Sequence, residues 1–396
     1  MDVLEGLRMV VVTHYFAPHV GGTETVAGLQ AQRAARHGAH VEVHTTRLPT
    51  GTPSHEDRTP RGARGTLHVV RHRAGDPLAR TLQLPVPVPT PRMLRDVTAA
   101  ARRADVVVAH GHAFPTSLLA AIAARRAARP FVLVQHAPWV AYGPVLDAVE
   151  RLVDRTLGRA VIRAARRVVA VSAHTADHVR AIVPDADVRV VPNGVDTARF
   201  TPDGPRRTGT RPVVLFVGRL VRRNGWDVLL DAWRRAGLED RAELHVAGTG
   251  PDRAALRAAA TPVGGIHLLG HVPDEELPAR YRGAALVVVP TVTGAGFGLV
   301  AAEAAACGTP VVASDHGGLR EAVRDGVDGR LVPPGDPVAL AATLRELVDD
   351  PAQLARLGRS AGRRDRSALR AADEALGQLV AGAGPVRTPA RSGRAA

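Results

Sequence analysis

Glu303 is the residue whose type and surroundings most clearly suggest chemistry. It is the one charge in the stretch GAGFGLVAAEAAACGTPVV, residues 294–312, which otherwise holds glycine and small or apolar residues. Burying a carboxylate among such residues costs several kcal/mol unless a partner compensates. The pattern predicts a strand, a glycine loop and a short helix that ends at Gly308 and Pro310, with Glu303 one turn inside the helix.

The start of that helix is suited to an anion. Backbone amides at Phe297, Gly298 and Leu299, after the loop glycine Gly296, would face a bound phosphate. A carboxylate one turn further can accept hydrogen bonds from vicinal hydroxyls, as carboxylates do with ribose. The pattern therefore predicts a nucleotide site in which Glu303 holds the sugar. The alternative is that Glu303 pairs with an arginine of a neighbouring helix.

Two other strand ends carry residues suited to phosphate. Gly21 and Gly22 follow the first predicted strand and precede a helix, where amides can approach a phosphate or a sugar. An ordinary strand-to-helix turn is an equally good explanation. Arg219 follows the first strand of the second half, and Arg222 and Arg223 share its loop. A guanidinium can clamp a diphosphate, although a solvated basic turn is the ordinary alternative.

These residues must be positioned by a sheet-based fold. Apolar runs alternate with alanine-rich helical patterns along all 396 residues, which indicates parallel sheets covered on both faces. We predict an α/β fold of two Rossmann-like domains facing each other across a cleft, with ligands at the carboxyl ends of the strands. The predicted boundaries are 1–195 for the first domain, 196–210 for a linker, 211–380 for the second domain and 381–396 for a disordered tail.

The composition indicates in which cellular compartment the protein is expected. No run of 18 or more apolar residues occurs, so we expect no transmembrane helix, and the first residues resemble a strand more than a signal peptide. The single cysteine, Cys307, suits a reducing compartment and is expected to fill a buried space. These features predict a cytoplasmic protein, with peripheral attachment to the inner face of the membrane left open.

The chain is strongly basic. Its formal net charge is +14, and all 52 basic residues are arginine. Such a charge attracts phosphorylated substrates, anionic lipid or nucleic acid. The sequence shows no basic surface interleaved with aromatic residues and no zinc spacing, so we do not expect nucleic acid as a partner.

Six stretches spread along the chain resemble one known family, and they occur in its order. They are HYFAPHVGGTE, VVPNGVDTARFTP, VGRL, GHVPDEELPARYRGAALVVVPT, GFGLVAAEAAACGTPVVASDHGGLREAV and DGRLVPPGDPVALAATLREL. Over roughly residues 8–360 the chain resembles the retaining nucleotide-sugar glycosyltransferases of family 4, which have the GT-B fold. The resemblance implies an enzyme that moves a sugar from a UDP- or GDP-sugar to a glycan, lipid or small-molecule acceptor, without a metal or other cofactor.

The same resemblance implies roles for particular residues. His136 and Arg219 would be catalytic: His136 lies near the donor sugar and Arg219 binds the diphosphate. Val272 would contact the base through its backbone, and Glu303 would bind the ribose. A diphosphate oxygen would take the acceptor proton, with the Arg and the helix amides stabilising the leaving group. The donor-binding residues implied are Gly21, Gly22, Arg219, Arg223, Val272, Gly296, Phe297, Gly298, Leu299 and Glu303.

Two positions depart from the family pattern. Ala295 stands where a glutamate that helps hold the donor sugar is expected, and Asn224 stands where a lysine is expected. Each missing contact could cost about 2 to 4 kcal/mol of transition-state stabilisation, with Arg222 or Arg223 as compensation. One hypothesis is therefore an active enzyme, including a variant that prefers a deoxy or otherwise modified donor sugar. The other is a degenerate GT-B protein that binds nucleotide sugar or a partner enzyme.

Three further patterns have ordinary explanations. His110 and His112 together with His136 make a poor metal site, because no carboxylate is near them in sequence. The sequence DAD at 185–187 is expected to be a turn. Residues 151–167 place arginines four apart opposite an apolar face, which predicts a helix with a solvated basic face, although such a helix can also lie on anionic lipid.

Overall fold

A computed structural model of the protein contains two β-sheets of mostly parallel strands, each covered by helices. The structure describes residues 3–19, 21–47, 52–75, 86–138, 140, 143–205, 209, 211–363, 377, 378, 380 and 382. The first sheet has the strand order β10-β9-β8-β7-β1-β2-β4-β3, and the second has the order β13-β12-β11-β14-β15-β16. Every pairing in both sheets is parallel except that of β3 with β4, which agrees with the predicted α/β architecture.

The first half of the chain supplies the strands of the first sheet and a two-stranded ribbon, β5-β6. The strands are β1 Arg8–Val12, β2 His40–Thr46, β3 His55–Asp57, β4 Thr66–His72, β5 Ala74–Gly75, β6 Val88–Pro89, β7 Val106–His110, β8 Phe131–Gln135, β9 Arg167–Ala170 and β10 Val188–Val190. The helices are α1 Gly22–Arg36, α2 Pro91–Arg103, α3 Pro115–Arg126, α4 Pro144–Val153, α5 Arg159–Ala164 and α6 Ala173–Ile182. Strands β7 and β8 are buried along their whole length, because helices cover both of their faces.

The second half repeats the plan with six strands. They are β11 Val213–Val217, β12 Glu243–Ala247, β13 Ile266–Gly270, β14 Leu286–Val289, β15 Val311–Ser314 and β16 Gly329–Val332. The helices are α7 Trp226–Ala236, α8 Arg253–Ala260, α9 Leu277–Gly283, α10 Leu299–Ala306, α11 Leu319–Ala322, α12 Pro337–Asp349 and α13 Pro351–Gly362. Cys307 is buried in the core beneath α10, as expected for a filler residue.

Two segments pack differently from the sequence-based division. Val380, at the end of the predicted second domain, is buried in the first-half core with Leu4 and Val11. Phe200, in the predicted linker, packs in the second-half core. The chain therefore returns to the first sheet near its end, because the apolar side chain of Val380 gains burial there. The other boundaries remain predictions, and residue 381 and residues 383–396 of the predicted tail lie outside the described residues.

The basic helix predicted over residues 151–167 is interrupted. Helix α4 ends at Val153, a π-helical turn spans Asp154–Gly158, and α5 follows to Ala164. Arg167 already lies in β9. The π turn inserts an extra residue and turns Asp154 inwards, which a regular helical spacing could not predict. Among the described residues, no helix combines the length and the apolar character that crossing a membrane requires.

Candidate active site

Glu303 lies where the sequence placed it, in the first turns of α10, and its side chain is buried with 9% exposure. Its Oε2 atom accepts a hydrogen bond of 2.9 Å from the hydroxyl of Tyr281 on α9. Burial raises the pKa of Glu303 to about 7, although the Tyr281 bond and the charge of Arg199 act in the opposite direction. The hydrogen-bond partner is thus a tyrosine and not the arginine of the alternative explanation, and Arg199 acts only through its charge.

The loop before α10 meets the first half of the chain. A Cβ atom at Gly296 would lie 1.9 Å from the carbonyl oxygen of His136, and one at Gly294 would lie 2.9 Å from Val140. Gly298, the residue immediately before α10, has a φ of +87°, and no side chain caps the helix. Only glycine fits these positions, so the uncapped amides of α10 lie at the cleft beside His136.

Phe297 and Leu299 contribute backbone, not side chains, to this loop. The ring of Phe297 is buried in the second-half core, and Leu299 packs against the same cluster. Ala295 is also buried, and its carbonyl accepts a 2.9 Å hydrogen bond from the amide of Gly318. A glutamate at 295 would need space in this close-packed corner. The tight packing around this position is therefore consistent with alanine in place of the expected glutamate.

Arg219 is exposed in the loop after β11, at the carboxyl end of the strand. The side-chain amide of Asn224 donates a 2.8 Å hydrogen bond to the carbonyl of Arg219, and the carbonyl of Arg223 accepts one of 2.8 Å from Val292. Asn224 thus fixes the loop that carries the predicted diphosphate-binding arginines. Among the described residues, no ion pair or hydrogen bond joins Arg219 directly to Glu303.

His136, just after β8, stacks against His110, the last residue of β7. The Nδ1 atom of His110 and the Nε2 atom of His136 are 2.7 Å apart. Burial lowers the pKa of His136 to about 4 and lowers the pKa of His110 well below its ordinary value. Both imidazoles are therefore neutral near pH 7, so His136 can exchange hydrogen bonds with a hydroxyl but carries no charge.

Glu24, which the sequence analysis did not single out, folds back over the first glycine loop. A Cβ atom at Gly21 would lie 2.3 Å from its Oε2, whereas the space at Gly22 is open. The carboxylate is buried and lies 3.2 Å from His19 Nδ1 and 3.4 Å from His14 Nε2. Burial alone would raise the pKa of Glu24, but the histidines outweigh it and the pKa is lowered. An acidic group thus already occupies the loop where we expected an anion.

Val272 lies just beyond β13 and is buried in the same second-half core cluster as Tyr281. Its predicted backbone contact with a base stays a prediction.

The residues missed by sequence reasoning are Tyr281, Glu24 and Arg199. All three stand inside the quoted motifs, and only the buried charge of Glu303 signalled that a partner such as Tyr281 was needed.

The chain matches two family models in succession. Residues 20–199 match the model described as Glycosyltransferase Family 4, and residues 211–350 match the one described as Glycosyl transferases group 1. The chain belongs to glycosyltransferase family 4. The predicted family is confirmed, and with it the prediction of an enzyme of the hexosyltransferase type.

Similar proteins carry related names. D-inositol 3-phosphate glycosyltransferase 1 of Catenulispora acidiphila is 37% identical over 74% of this chain and 75% of its own length. The GDP-mannose-dependent alpha-(1-6)-phosphatidylinositol monomannoside mannosyltransferase of Mycolicibacterium smegmatis is 34% identical over 88% of this chain and 91% of its own. The structure of HepE from Anabaena in complex with UDP and glucose matches with a TM-score of 0.75 and 20% identity, covering 95% of this chain and 100% of its own. The last likeness confirms the GT-B fold alone.

Proposed function

We propose that this glycosyltransferase moves a hexose from a UDP- or GDP-sugar to its acceptor with retention of configuration. The observation that carries the proposal is the buried carboxylate of Glu303 one turn behind the uncapped amides of α10, at a loop that meets His136 across the cleft. Glu303 would hold the ribose hydroxyls, and the α10 amides with Arg219 would hold the diphosphate.

The roles of the first-half residues follow from their charge. His136 is neutral, so it would orient a hydroxyl of the donor sugar by hydrogen bonding and would not act as an acid. The diphosphate oxygen would take the acceptor proton, which leaves Arg219 and the amides to stabilise the departing charge. We propose that no metal takes part in transfer, so added Mg²⁺ or Mn²⁺ should leave the rate unchanged.

The acceptor is proposed to carry an inositol ring. Two of the similar proteins are named for D-inositol 3-phosphate and for a phosphatidylinositol mannoside. The strongly basic chain favours a phosphorylated acceptor of that kind. A direct test measures release of UDP or GDP from a panel of sugar donors, with inositol phosphates and with phosphatidylinositol vesicles. Nucleotide binding without turnover on any acceptor would count against an active enzyme.

The second candidate is a degenerate GT-B protein, favoured by Ala295 and Asn224. Ala295→Glu and Asn224→Lys restore the family residues, and transfer that appears only in such variants would support this candidate. We favour the active enzyme, because Asn224 has a defined part in holding the Arg219 loop. A strict preference for unmodified glucose or mannose would refute the variant in which Ala295 selects a deoxy sugar.

Contact with anionic membrane is proposed through α4. Val145, Val149 and Leu152 form one stripe on this helix and are 76%, 51% and 61% exposed. Arg151 and Arg155 are exposed beside the stripe. An apolar stripe flanked by guanidinium groups fits the interface of a membrane that contains acidic lipid. The solvated basic face that we expected is therefore accompanied by an apolar stripe in the preceding turns.

A further inference from the structure

Three potential metal ligands meet in the first half of the chain, beside the strand ends that carry His110 and His136. His112 follows β7, Asp154 lies in the π turn after α4, and His178 lies on α6. The Nε2 atom of His112 is 2.6 Å from Oδ1 of Asp154, and Nε2 of His178 is 3.5 Å from Oδ2. All three ligating atoms lie within 4.8 Å of one another.

The local backbone is arranged to hold this cluster. A Cβ atom at Gly158, the last residue of the π turn, would lie 2.6 Å from Cδ2 of His112, so glycine lets the ring lie against the helix. The amide of His112 donates a 2.9 Å hydrogen bond to Oε1 of Gln135. His112 and Asp154 are buried, and His178 is mostly buried. The ligands are therefore fixed from three different elements before any ion arrives.

The charge balance of the cluster favours a cation. Glu150, four residues before Asp154, feels the charges of both Asp154 and His112, and its Oε2 is buried with no hydrogen-bond partner among the described residues. The ion pairs of Asp154 in the described part of the chain are with His112 and His178, not with arginine. Two carboxylates thus lie close together, and the ion-pair partners of Asp154 among the described residues are imidazoles. Such a group is costly unless the histidines are protonated or an ion is bound.

We propose that His112, Asp154 and His178 bind one divalent metal ion of the Zn²⁺ type, with Glu150 as the neighbouring carboxylate. Imidazole nitrogen with carboxylate oxygen suits Zn²⁺ and its transition-metal neighbours, whereas Mg²⁺ and Ca²⁺ prefer oxygen alone. Tetrahedral Zn²⁺ places ligating atoms about 3.3 Å apart. The 2.6 Å separation of His112 and Asp154 would therefore widen, and the longer separations, which reach at most 4.8 Å, would shorten. The ion would tie α4 and α6 to the loop after β7.

The proposal does not depend on transferase activity, because its readout is metal binding. Protein without an affinity tag is stripped with a chelator, dialysed, and titrated with Co²⁺ and then Zn²⁺. We expect one equivalent of Co²⁺ with the visible absorption of a four-coordinate ion, its displacement by Zn²⁺, and a Zn²⁺-dependent rise in melting temperature.

Variants separate this site from adventitious binding. His178→Ala and Asp154→Asn should weaken Co²⁺ binding by more than about 100-fold, because even outer-shell partners of a metal are worth about 10- to 100-fold. The matched control is the double change His245→Ala and His267→Ala, which removes a second, more exposed group that includes Glu243. This control should leave binding unchanged. Circular dichroism confirms that each variant is folded.

Two results would overturn the proposal. One is the absence of stoichiometric Co²⁺ or Zn²⁺ binding by folded wild-type protein, which would mean that protonated histidines balance the carboxylates. The other is binding that survives His178→Ala and Asp154→Asn but disappears in the control variant, which would place the ion on the exposed group around His267.

Discussion

At the residue scale, the pairing of Glu303 with Tyr281 explains how a carboxylate is tolerated among alanines. The Tyr281 hydroxyl gives Glu303 one strong hydrogen bond, and burial still raises the pKa of the acid to about 7. The side chain is therefore close to half protonated at neutral pH. A ligand that donates hydrogen bonds from two hydroxyls would favour the ionised form, so ligand binding and proton loss are coupled.

The raised pKa of Glu303 predicts a pH-dependent change in stability. The unfolded chain ionises this group from about pH 4.5, while the folded protein keeps its proton until about pH 7. The native state thus binds more protons in this window, and the contribution of Glu303 to stability falls as the pH rises through it. Glu303→Gln lacks this effect. The free energy of unfolding of the variant, relative to wild type, should rise by about 3 kcal/mol between pH 4 and pH 8 in urea titrations.

A pH-independent difference between wild type and Glu303→Gln would contradict the buried, protonatable state of Glu303. Taking the difference between the two proteins cancels the other groups that titrate in this range. His136 is one of them: its pKa is lowered to about 4, so its own contribution is lost as the pH falls from about 6.5 towards 4.

Removing the Tyr281 hydroxyl tests the hydrogen bond between Glu303 and Tyr281 through the donor instead of the acceptor. Tyr281→Phe leaves Glu303 buried without its donor, so the pKa of Glu303 should rise further. Hydrogen bonds to charged groups are worth about 1.5 to 3 kcal/mol, which predicts nucleoside diphosphate binding weaker by about tenfold or more at pH 7. Calorimetry measures this, with the loss shrinking above pH 8 as Glu303 ionises. An unchanged affinity at pH 7 would show that the hydroxyl does not support the acid.

At the element scale, the glycine loop before α10 sets how closely the two halves approach. Gly296→Ala places a methyl group where the His136 carbonyl lies, so the cleft must open there. We expect kcat/KM to fall by about 100-fold, since displacements of about 1 Å at a reacting centre cost that much. Nucleoside diphosphate binding to the second half should change little. Gly75→Ala, in open space, is the control, and full activity of Gly296→Ala would contradict this role.

Helix α4 carries the proposed membrane contact. Val149→Glu and Leu152→Glu place charge on the exposed apolar stripe, so binding to vesicles containing acidic phospholipid should fall by about tenfold in co-sedimentation. Wild-type binding should also weaken as salt rises, because the flanking arginines act through screened charge. Val338→Glu is the matched control, since Val338 is 61% exposed on α12. Equal loss in the control, or no loss in α4, would exclude this stripe.

The sequence predicted the regular strands and helices better than the irregular turns and the contacts between residues distant in the chain. The alternation of apolar strands with helices and the helix around Glu303 are as expected, because their period and length are local properties. The π turn at Asp154–Gly158 was missed, since an inserted residue leaves the apolar pattern almost unchanged. Tyr281 and Glu24 were missed as site residues because their importance comes from neighbours distant in the chain.

At the scale of the whole molecule, contacts across the cleft join the two halves. Glu321 on α11 accepts hydrogen bonds of 2.9 and 3.1 Å from the amide of Ala173, at the start of α6. The rings of His174 and His316 meet edge to face beside it. The carboxylate thus binds the first amide of a helix in the opposite half, next to the Ser172 cap of that helix. Val380 adds a further connection by returning the chain to the first core.

Removing the Glu321 carboxylate should favour a more open molecule. Glu321→Ala removes the acceptor of the Ala173 amide and leaves the Ser172 cap of α6 in place. Such a hydrogen bond is worth about 1 kcal/mol, so the open population should grow several-fold. Small-angle X-ray scattering should show a larger radius of gyration without ligand, and the KM for donor should rise. Glu346→Ala breaks an exposed pair with Arg330 within the second half and is the control. Identical scattering from both variants would mean that the contact of Glu321 with Ala173 does not hold the cleft closed.

The most direct test of the central claim is one thermodynamic cycle on Glu303. Calorimetry measures the affinity of wild type and Glu303→Ala for UDP or GDP, whichever binds, and for its 2′,3′-dideoxy counterpart. If Glu303 holds the ribose, wild type should prefer the ribonucleotide by about 1.5 to 3 kcal/mol, and the variant should lose that preference. An equal preference in both proteins would contradict the assignment of Glu303 to the sugar of the nucleotide.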